Sequence, residues 1–270
     1  MWIEQTSPDQ LAAVTRDVGQ LDGWDFSAVR DERDPVPWDY AEVLRRHVRP
    51  GCRVLDIGTG GGERFLDLAP QIGAGTGIDV SADMVATARS STPANLAARL
   101  SFAVMDASRL EFPDASFELV INRHAPVYAA EITRVLTPGG IFITQQVGGR
   151  NTKSIFTAFG WESNAAQWEQ HYSEPGAPPA PDTLHGLAGL EAAFARLGCV
   201  LRAVAEYDVR YWLSDLASFV FFVKAIPLPE QFDPARHCPA VNRAISACGS
   251  ARGIQTNEHR QLLIMEKPAT

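Results

Sequence analysis

Val54-Leu55-Asp56-Ile57-Gly58-Thr59-Gly60-Gly61-Gly62-Glu63 reads as a buried strand, Arg53 to Ile57, running into a glycine-rich turn and then a helix. Glycines at 58, 60 and 62 remove every Cβ from one side of that turn. Bare backbone can then lie against a flat or polar ligand, and left-handed dihedrals cost little there. Asp56 closes the strand and can accept hydrogen bonds from a ligand hydroxyl or ammonium. A tight strand-to-helix turn also uses glycine for packing alone, so the turn by itself does not name a ligand.

Outward from this segment, strands and helices alternate. Downstream, Phe65, Leu68, Ala69 and Ile72 fall at helical spacing over Glu63 to Ile72, and a short strand follows over Thr76 to Asp79. Ser81 can cap the next helix, with Asp83 in its first turn. Further strands are expected over Arg99 to Met105, Phe117 to Asn122 and Ile141 to Val147, with a helix from about Val127 to Leu136 that Thr137-Pro138-Gly139-Gly140 ends. Upstream, Pro37 opens a helix through Val48, and Pro8 to Val18 reads as a shorter one.

The second half is less regular. A helix is expected over Ser154 to Trp168 and a proline-rich loop over Pro175 to Pro181. A helix capped by Asp182 or Thr183 then runs to Leu197, and a strand covers Val200 to Tyr211. Ser214 can cap an apolar helix over Leu216 to Val223, and Arg260 to Glu266 is a last strand.

Such alternation gives an α/β, Rossmann-like, doubly wound and mostly parallel sheet of seven strands with helices on both faces. The expected organisation is a core at 37–150 completed by 183–211 and 256–270. Residues 1–36 form an N-terminal segment able to act as a lid, and 151–182 with 212–255 make a partly helical cap. In these sheets ligands sit at the carboxyl ends of the strands. That singles out Asp56, Asp79, Asp106, Asn122 and His124.

Composition narrows the partners. The chain has 270 residues, 46% of them apolar, and a formal net charge of −8. That is ample for a packed core, and no dense Lys/Arg run marks a nucleic-acid face, so nucleic acid is disfavoured. Cys52, Cys199, Cys238 and Cys248 form no Cys-x-x-Cys pair and no metal-ligand spacing with histidine, so no metal is expected. No charged-then-apolar leader pattern occurs, and no apolar run approaches the ~20 residues of a membrane span, which points to a cytoplasmic, reduced protein.

Four segments in order then resemble the class I S-adenosylmethionine-dependent methyltransferases, in their small-molecule, type 11-like branch. The glycine turn is similar to the first motif, acid-x-Gly-x-Gly-x-Gly, with Asp56 as the acid. Gly77-Ile78-Asp79-Val80-Ser81 is similar to the second, and Met105-Asp106-Ala107 to the third. Glu131 to Gly140 resembles the helix and turn before the fifth core strand. The resemblance covers about residues 36–147. It implies S-adenosylmethionine as cofactor and S-adenosylhomocysteine as its product. Asp79 would then hold the ribose hydroxyls, while Asp106 and the Ala107 backbone meet the adenine. Asp56, Gly58, Thr59, Gly60, Gly62, Val80, Met84 and Asn122 complete the cofactor set. A nicotinamide-binding reading fails on spacing, because Gly58-x-Gly60-x-Gly62 is not Gly-x-Gly-x-x-Gly.

On the acceptor side, Asn122-Arg123-His124 departs from the Asn/Asp-Pro-Pro-Tyr/Phe pattern of methyltransferases acting on DNA bases. His124 is a candidate general base, with a structural histidine as its plain alternative, and His171 is a second candidate. One of Gln145 and Gln146 can point into the cleft. Trp161, Trp168, Tyr211, Trp212, Phe219 and Phe222 suit a planar or apolar acceptor, or the cap's own core. The function expected is in-line methyl transfer to the O, N or C atom of a small molecule. An RNA or protein methyltransferase, or a non-catalytic cofactor-binding protein, are the alternatives.

Overall fold

The structure, a computed structural model, describes residues 5–18, 29–161, 172, 179–225 and 231–269. His171, the turn Gly23–Ser27, the distal part of the helix expected to reach Trp168 and most of the proline-rich loop lie outside these residues. In chain order the first elements are α1 (Pro8–Val18), β1 (Asp31–Arg33), α2 (Tyr40–His47), β2 (Arg53–Ile57), α3 (Glu63–Leu68), β3 (Ala74–Asp79), α4 (Ala82–Ser90), β4 (Leu100–Val104) and β5 (Phe117–Arg123). There follow α5 (Ala129–Val135), β6 (Leu136–Val147), α6 (Lys153–Phe159), α7 (Gly186–Arg196), β7 (Val200–Leu213), α8 (Leu216–Ala225), α9 (Pro234–Cys248), β8 (Gly249–Ser250) and β9 (Gly253–Glu266).

The chain divides into two units, one of residues 37–147, 175–206 and 260–270, the other of 1–36, 148–174 and 207–259. The first is the α/β core. Its strands run in the order β7-β9-β6-β5-β2-β3-β4. The pairs β5·β6, β5·β2, β2·β3 and β3·β4 are parallel, and β9 is antiparallel to β6. All seven strands expected from sequence are present, and β1 and β8, which the sequence reading did not include, bring the sheet to nine among the described residues. Val54 and Leu55 of β2 are fully buried, which fits a strand covered on both faces.

Period-two alternation sends successive side chains to opposite faces. One face packs Leu119, Ile121 and Ile143 under α2, α3 and α4 through Leu44, Phe65, Leu68 and Val85. The other packs Val120 and Phe142 under α5 and α7 through Ile132, Val135, Leu190 and Phe194. Phe65, Phe142 and Phe194 are fully buried, each contributing about 1.5–3 kcal/mol of transfer free energy. The stacked pair Phe142–Phe194, 5.0 Å between centroids, joins the sheet to α7.

Several local expectations change. The helix expected over Ser154 to Trp168 ends at Phe159, where Gly160 takes φ 74° and closes it. The strand expected from Arg260 begins at Gly253. The helix predicted from Pro37 begins at Tyr40, because the Asp39 carboxylate accepts the Glu42 N–H at 3.0 Å and takes the N-cap. Asp182 does not cap its own α-helix: it opens a 3-10 turn, and its Oδ2 accepts the Ala129 N–H at 2.8 Å at the start of α5. The strand predicted from Ile141 starts at Leu136, with Gly139 at φ 73° inside it. Asp215 rather than Ser214 caps α8, accepting the Ser218 N–H at 2.7 Å, since the Ser214 N–H is already bonded to Arg30 O and extends the β1·β7 ladder.

The second unit has its own apolar core. Leu11, Ile155, Phe219, Val220, Val223, Val241 and Ile254 are fully buried in it, contributed by α1, α6, α8, α9 and β9. β1 pairs with the end of β7, and β8 with the start of β9. The helix α9 escapes a sequence reading because Pro239 interrupts its pattern; Asp233 caps it by accepting the Arg236 N–H at 2.7 Å. Trp161 packs on Phe159 at 4.4 Å, and Tyr211, Trp212 and Phe219 are buried, so these aromatics serve this unit's interior. Among the described residues no helix is long and apolar enough to cross a membrane.

Candidate cofactor and methyl-acceptor site

The carboxyl ends of β2, β3, β4 and β5 meet at the glycine turn. Gly58, Gly60 and Gly62 adopt φ of 74°, 57° and 84°, so each glycine of the alternate pattern sits in left-handed backbone. The positions differ in what surrounds them. A Cβ on Gly58 would stand 2.3 Å from Ala125 Cβ, so the turn packs directly on the segment after β5. A Cβ on Gly60 would meet nothing within 4 Å. The turn is tied to β3 by the Gly58 and Thr59 N–H groups, both donating to Ile78 O at 2.9 Å.

Asp79 joins two loops. Its Oδ2 accepts the Gly60 N–H at 3.0 Å and its Oδ1 accepts the Ser81 N–H at 2.9 Å. Ser81 then caps α4 through the Met84 N–H at 3.3 Å, as its sequence position predicts. Met84 is half-buried one turn into that helix.

Asp56 is buried below the turn. Burial pushes its carboxyl up to about 7; the Thr59 side chain pulls it back and the Asp79 charge pushes it further up. Thr59 Oγ1 is close enough for this influence yet aligned with no hydrogen-bond partner, a buried orphan. An unsatisfied buried hydroxyl is costly and marks a place where a ligand group can bond.

At the end of β4 the Asp106 carboxylate is exposed, with Oδ1 accepting the Ser108 N–H at 2.8 Å, and Ala107 is half-buried beside it. The Met105 N–H donates to Asp79 O at 3.0 Å, which sets Asp106 beside Asp79. Val80 and Val104 are 71% and 53% exposed at the ends of β3 and β4, and Asp79 and Val104 are register partners. Sequence reasoning had not singled out Val104. Its signal is the run Leu100, Phe102, Val104, whose apolar alternation outlasts the cover provided by α4.

Asn122 ends a closed network. Its Oδ1 accepts from Thr144 Oγ1 at 3.0 Å and Gln146 Nε2 at 2.6 Å, and its Nδ2 donates to Pro126 O at 3.3 Å. The side chain is fully buried and occupied, so it positions the loop after β5. Tyr40 OH donates to Asn122 O at 2.9 Å; burial first and the Asp56 charge next raise its phenol well above the ordinary value, so it stays protonated. Gln145 Oε1 accepts the Trp38 indole N–H at 3.0 Å. Both glutamines are therefore engaged.

His124 follows Asn122 and Arg123 at φ 62°, a left-handed conformation rare for a residue with a Cβ. Its N–H donates to Gln145 O at 2.9 Å. Desolvation first, and the charges of Arg123, Arg260 and Arg64 next, hold its imidazole well below the usual value. The residue keeps an exposed surface, so the three cations are the firmer cause. A neutral imidazole can accept a proton.

Residues 54–140 match the model of the methyltransferase domain family. A 2-methyl-6-phytyl-1,4-hydroquinone methyltransferase of Synechocystis is 39% identical over 42% of this chain and 37% of its own length. A ubiquinone/menaquinone biosynthesis C-methyltransferase, UbiE, of Bordetella avium is 32% identical over 48% of this chain and 55% of its own. The chain thus spans about half the length, or less, of these curated relatives. The crystal structure of YcgJ from Bacillus subtilis has the same fold, with a TM-score of 0.58 and 18% identity over 84% of this chain and 97% of that one.

Proposed function

We propose that this protein, whose residues 54–140 match the methyltransferase domain family, is a class I enzyme that transfers a methyl group from S-adenosylmethionine to a small organic acceptor. The observation that carries this reading is the Asp79 carboxylate held between Gly60 and Ser81, at the mouth of a turn with open space over Gly60. The orphaned Thr59 Oγ1 and the exposed Val80 and Val104 support the fit of a ligand with both polar and flat apolar parts.

Asp79 would hold the ribose hydroxyls through charge-assisted hydrogen bonds. Asp106, Ala107, Met84, Val80 and Val104 would enclose the adenine. Asp56 and the Gly58–Gly62 backbone would lie under the amino-acid part. Bound there, the cofactor supplies a methyl group on a sulfonium. The protein's own task is alignment and exclusion of water. Uncharged glycine backbone suits a centre whose positive charge disappears in the reaction.

The acceptor would sit toward His124, which takes its proton where the acceptor atom carries one. Quinone-type acceptors are the first class to try, because both curated relatives are named for quinone or hydroquinone methylation.

Isothermal titration with S-adenosylhomocysteine tests the cofactor, and no heat at high micromolar ligand overturns the proposal. A tritium-methyl assay on size-fractionated cell extract tests the acceptor. Label in the small-molecule fraction supports it, and label confined to macromolecules overturns it.

A further inference from the structure

β7 is the outer strand of the core. Its inner side pairs with β9, and among the described residues β1 covers its outer side only at Tyr211–Leu213. The rest of that edge exposes apolar side chains among charged ones. Val200, Leu201 and Val204 are 45%, 37% and 45% exposed, and Leu197 at the end of α7 adds a fourth apolar side chain at 44%. Edge strands usually carry a charge, a proline or a bulge that blocks further pairing. Between Val200 and Glu206 the charged residues are Arg202 and Glu206, of opposite sign.

The backbone direction is fixed by the pairing further along the strand. Arg210 O accepts from Asp34 N at 3.0 Å, and Ser214 N donates to Arg30 O at 2.9 Å. The even-numbered residues of β7 therefore turn their N–H and C=O groups outward, and strand alternation carries this back to Val204 and Arg202. An antiparallel partner must set even residues against even ones.

We propose that this edge is a self-association surface, on which two copies pair β7 with β7 antiparallel about Val204. That register sets Val204 against the partner's Val204 and Arg202 against Glu206 of the partner subunit, twice by symmetry. The neighbouring register, centred on Ala203, also satisfies the backbone but sets Arg202 against the partner's Val204 and so loses both opposite-charge pairs, and charge selects the first. Within one chain Arg202 pairs with Glu266 at 2.7 Å and Glu206 accepts from Gln261 at 3.1 Å. Both contacts lie toward β9, and among the described residues no strand pairs with the outer side of β7 at 200–206.

Sedimentation velocity on the full chain, from roughly 1 to 100 µM, reads the association directly. A concentration-dependent dimer is expected. Val204→Pro should make it monomeric while leaving S-adenosylhomocysteine affinity unchanged, because the lost N–H faces outward and not into the ladder. Arg202→Glu should weaken the dimer by about tenfold or more, and adding Glu206→Arg in the same chain should restore it. A monomer throughout the range overturns the proposal. So does a dimer indifferent to Val204→Pro, or one that the charge swap fails to restore.

Discussion

The Asp79 carboxylate bonds the Gly60 N–H at 3.0 Å, so the glycine turn and the end of β3 are held by one side chain. Asp79→Ala should weaken S-adenosylhomocysteine binding by roughly 1–3 kcal/mol, through lost hydrogen bonds to the ligand and a looser turn. Calorimetric titration measures it. An unchanged dissociation constant would show that Asp79 does not reach the cofactor.

Gly58→Ala and Gly60→Ala should separate packing from ligand contact. Both ask alanine to hold a left-handed φ, which costs about 1–2 kcal/mol. Only the first also drives a Cβ to 2.3 Å from Ala125 Cβ. Urea unfolding should show Gly58→Ala destabilised by about 3 kcal/mol or more and Gly60→Ala by about 1 kcal/mol, with cofactor binding still lost in the second. Equal stability losses would contradict the contact with Ala125.

Asp56 gives a pH signature. Its carboxyl titrates at about 7 in the folded chain, against about 4 when unfolded. The unfolded chain therefore ionises first as pH rises, and native stability falls between about pH 4 and 7, then levels off. Asp56→Asn removes this titration, so its stability advantage over the parent should grow across that window toward something of order 4 kcal/mol. Parallel stability–pH curves for the two proteins would refute the burial effect.

For His124 the sign is opposite. Its depressed value means that the unfolded chain takes up a proton first as pH falls below about 6.5, so its contribution to stability is present above that pH and lost below it. Its imidazole should still be neutral at pH 6 by NMR. His124→Gly should relieve the left-handed backbone and raise stability by up to about 1 kcal/mol. If His124 is the base, the same change should slow turnover by about 10²–10⁴-fold. A more stable variant with full activity would leave His124 only a backbone role.

Much of this was legible in the sequence because it depends on local signals. The glycine spacing, the Ser81 cap and the apolar run Leu119-Val120-Ile121 each specify a nearby conformation. What escaped depends on distant partners. Asp182 looks like the cap of its own helix, yet it caps α5, whose Ala129 lies far behind it in sequence. Asn122 looks like a site residue until Thr144 and Gln146 occupy its amide. Gln145 and Trp38 gave no sign that one would bond the other.

The antiparallel β9 has a consequence for how the protein is made. Ile141 to Val147 of β6 find their second neighbour in Arg260 to Glu266. Synthesis runs from the amino end, so the ribosome finishes the glycine turn and five parallel strands long before it emits the strand that seals β6. Until then the nascent core has an unpaired strand edge beside its cofactor pocket, a natural target for a chaperone. A stop codon between residues 148 and 259 would keep every cofactor-pocket residue named above on a sheet that cannot close.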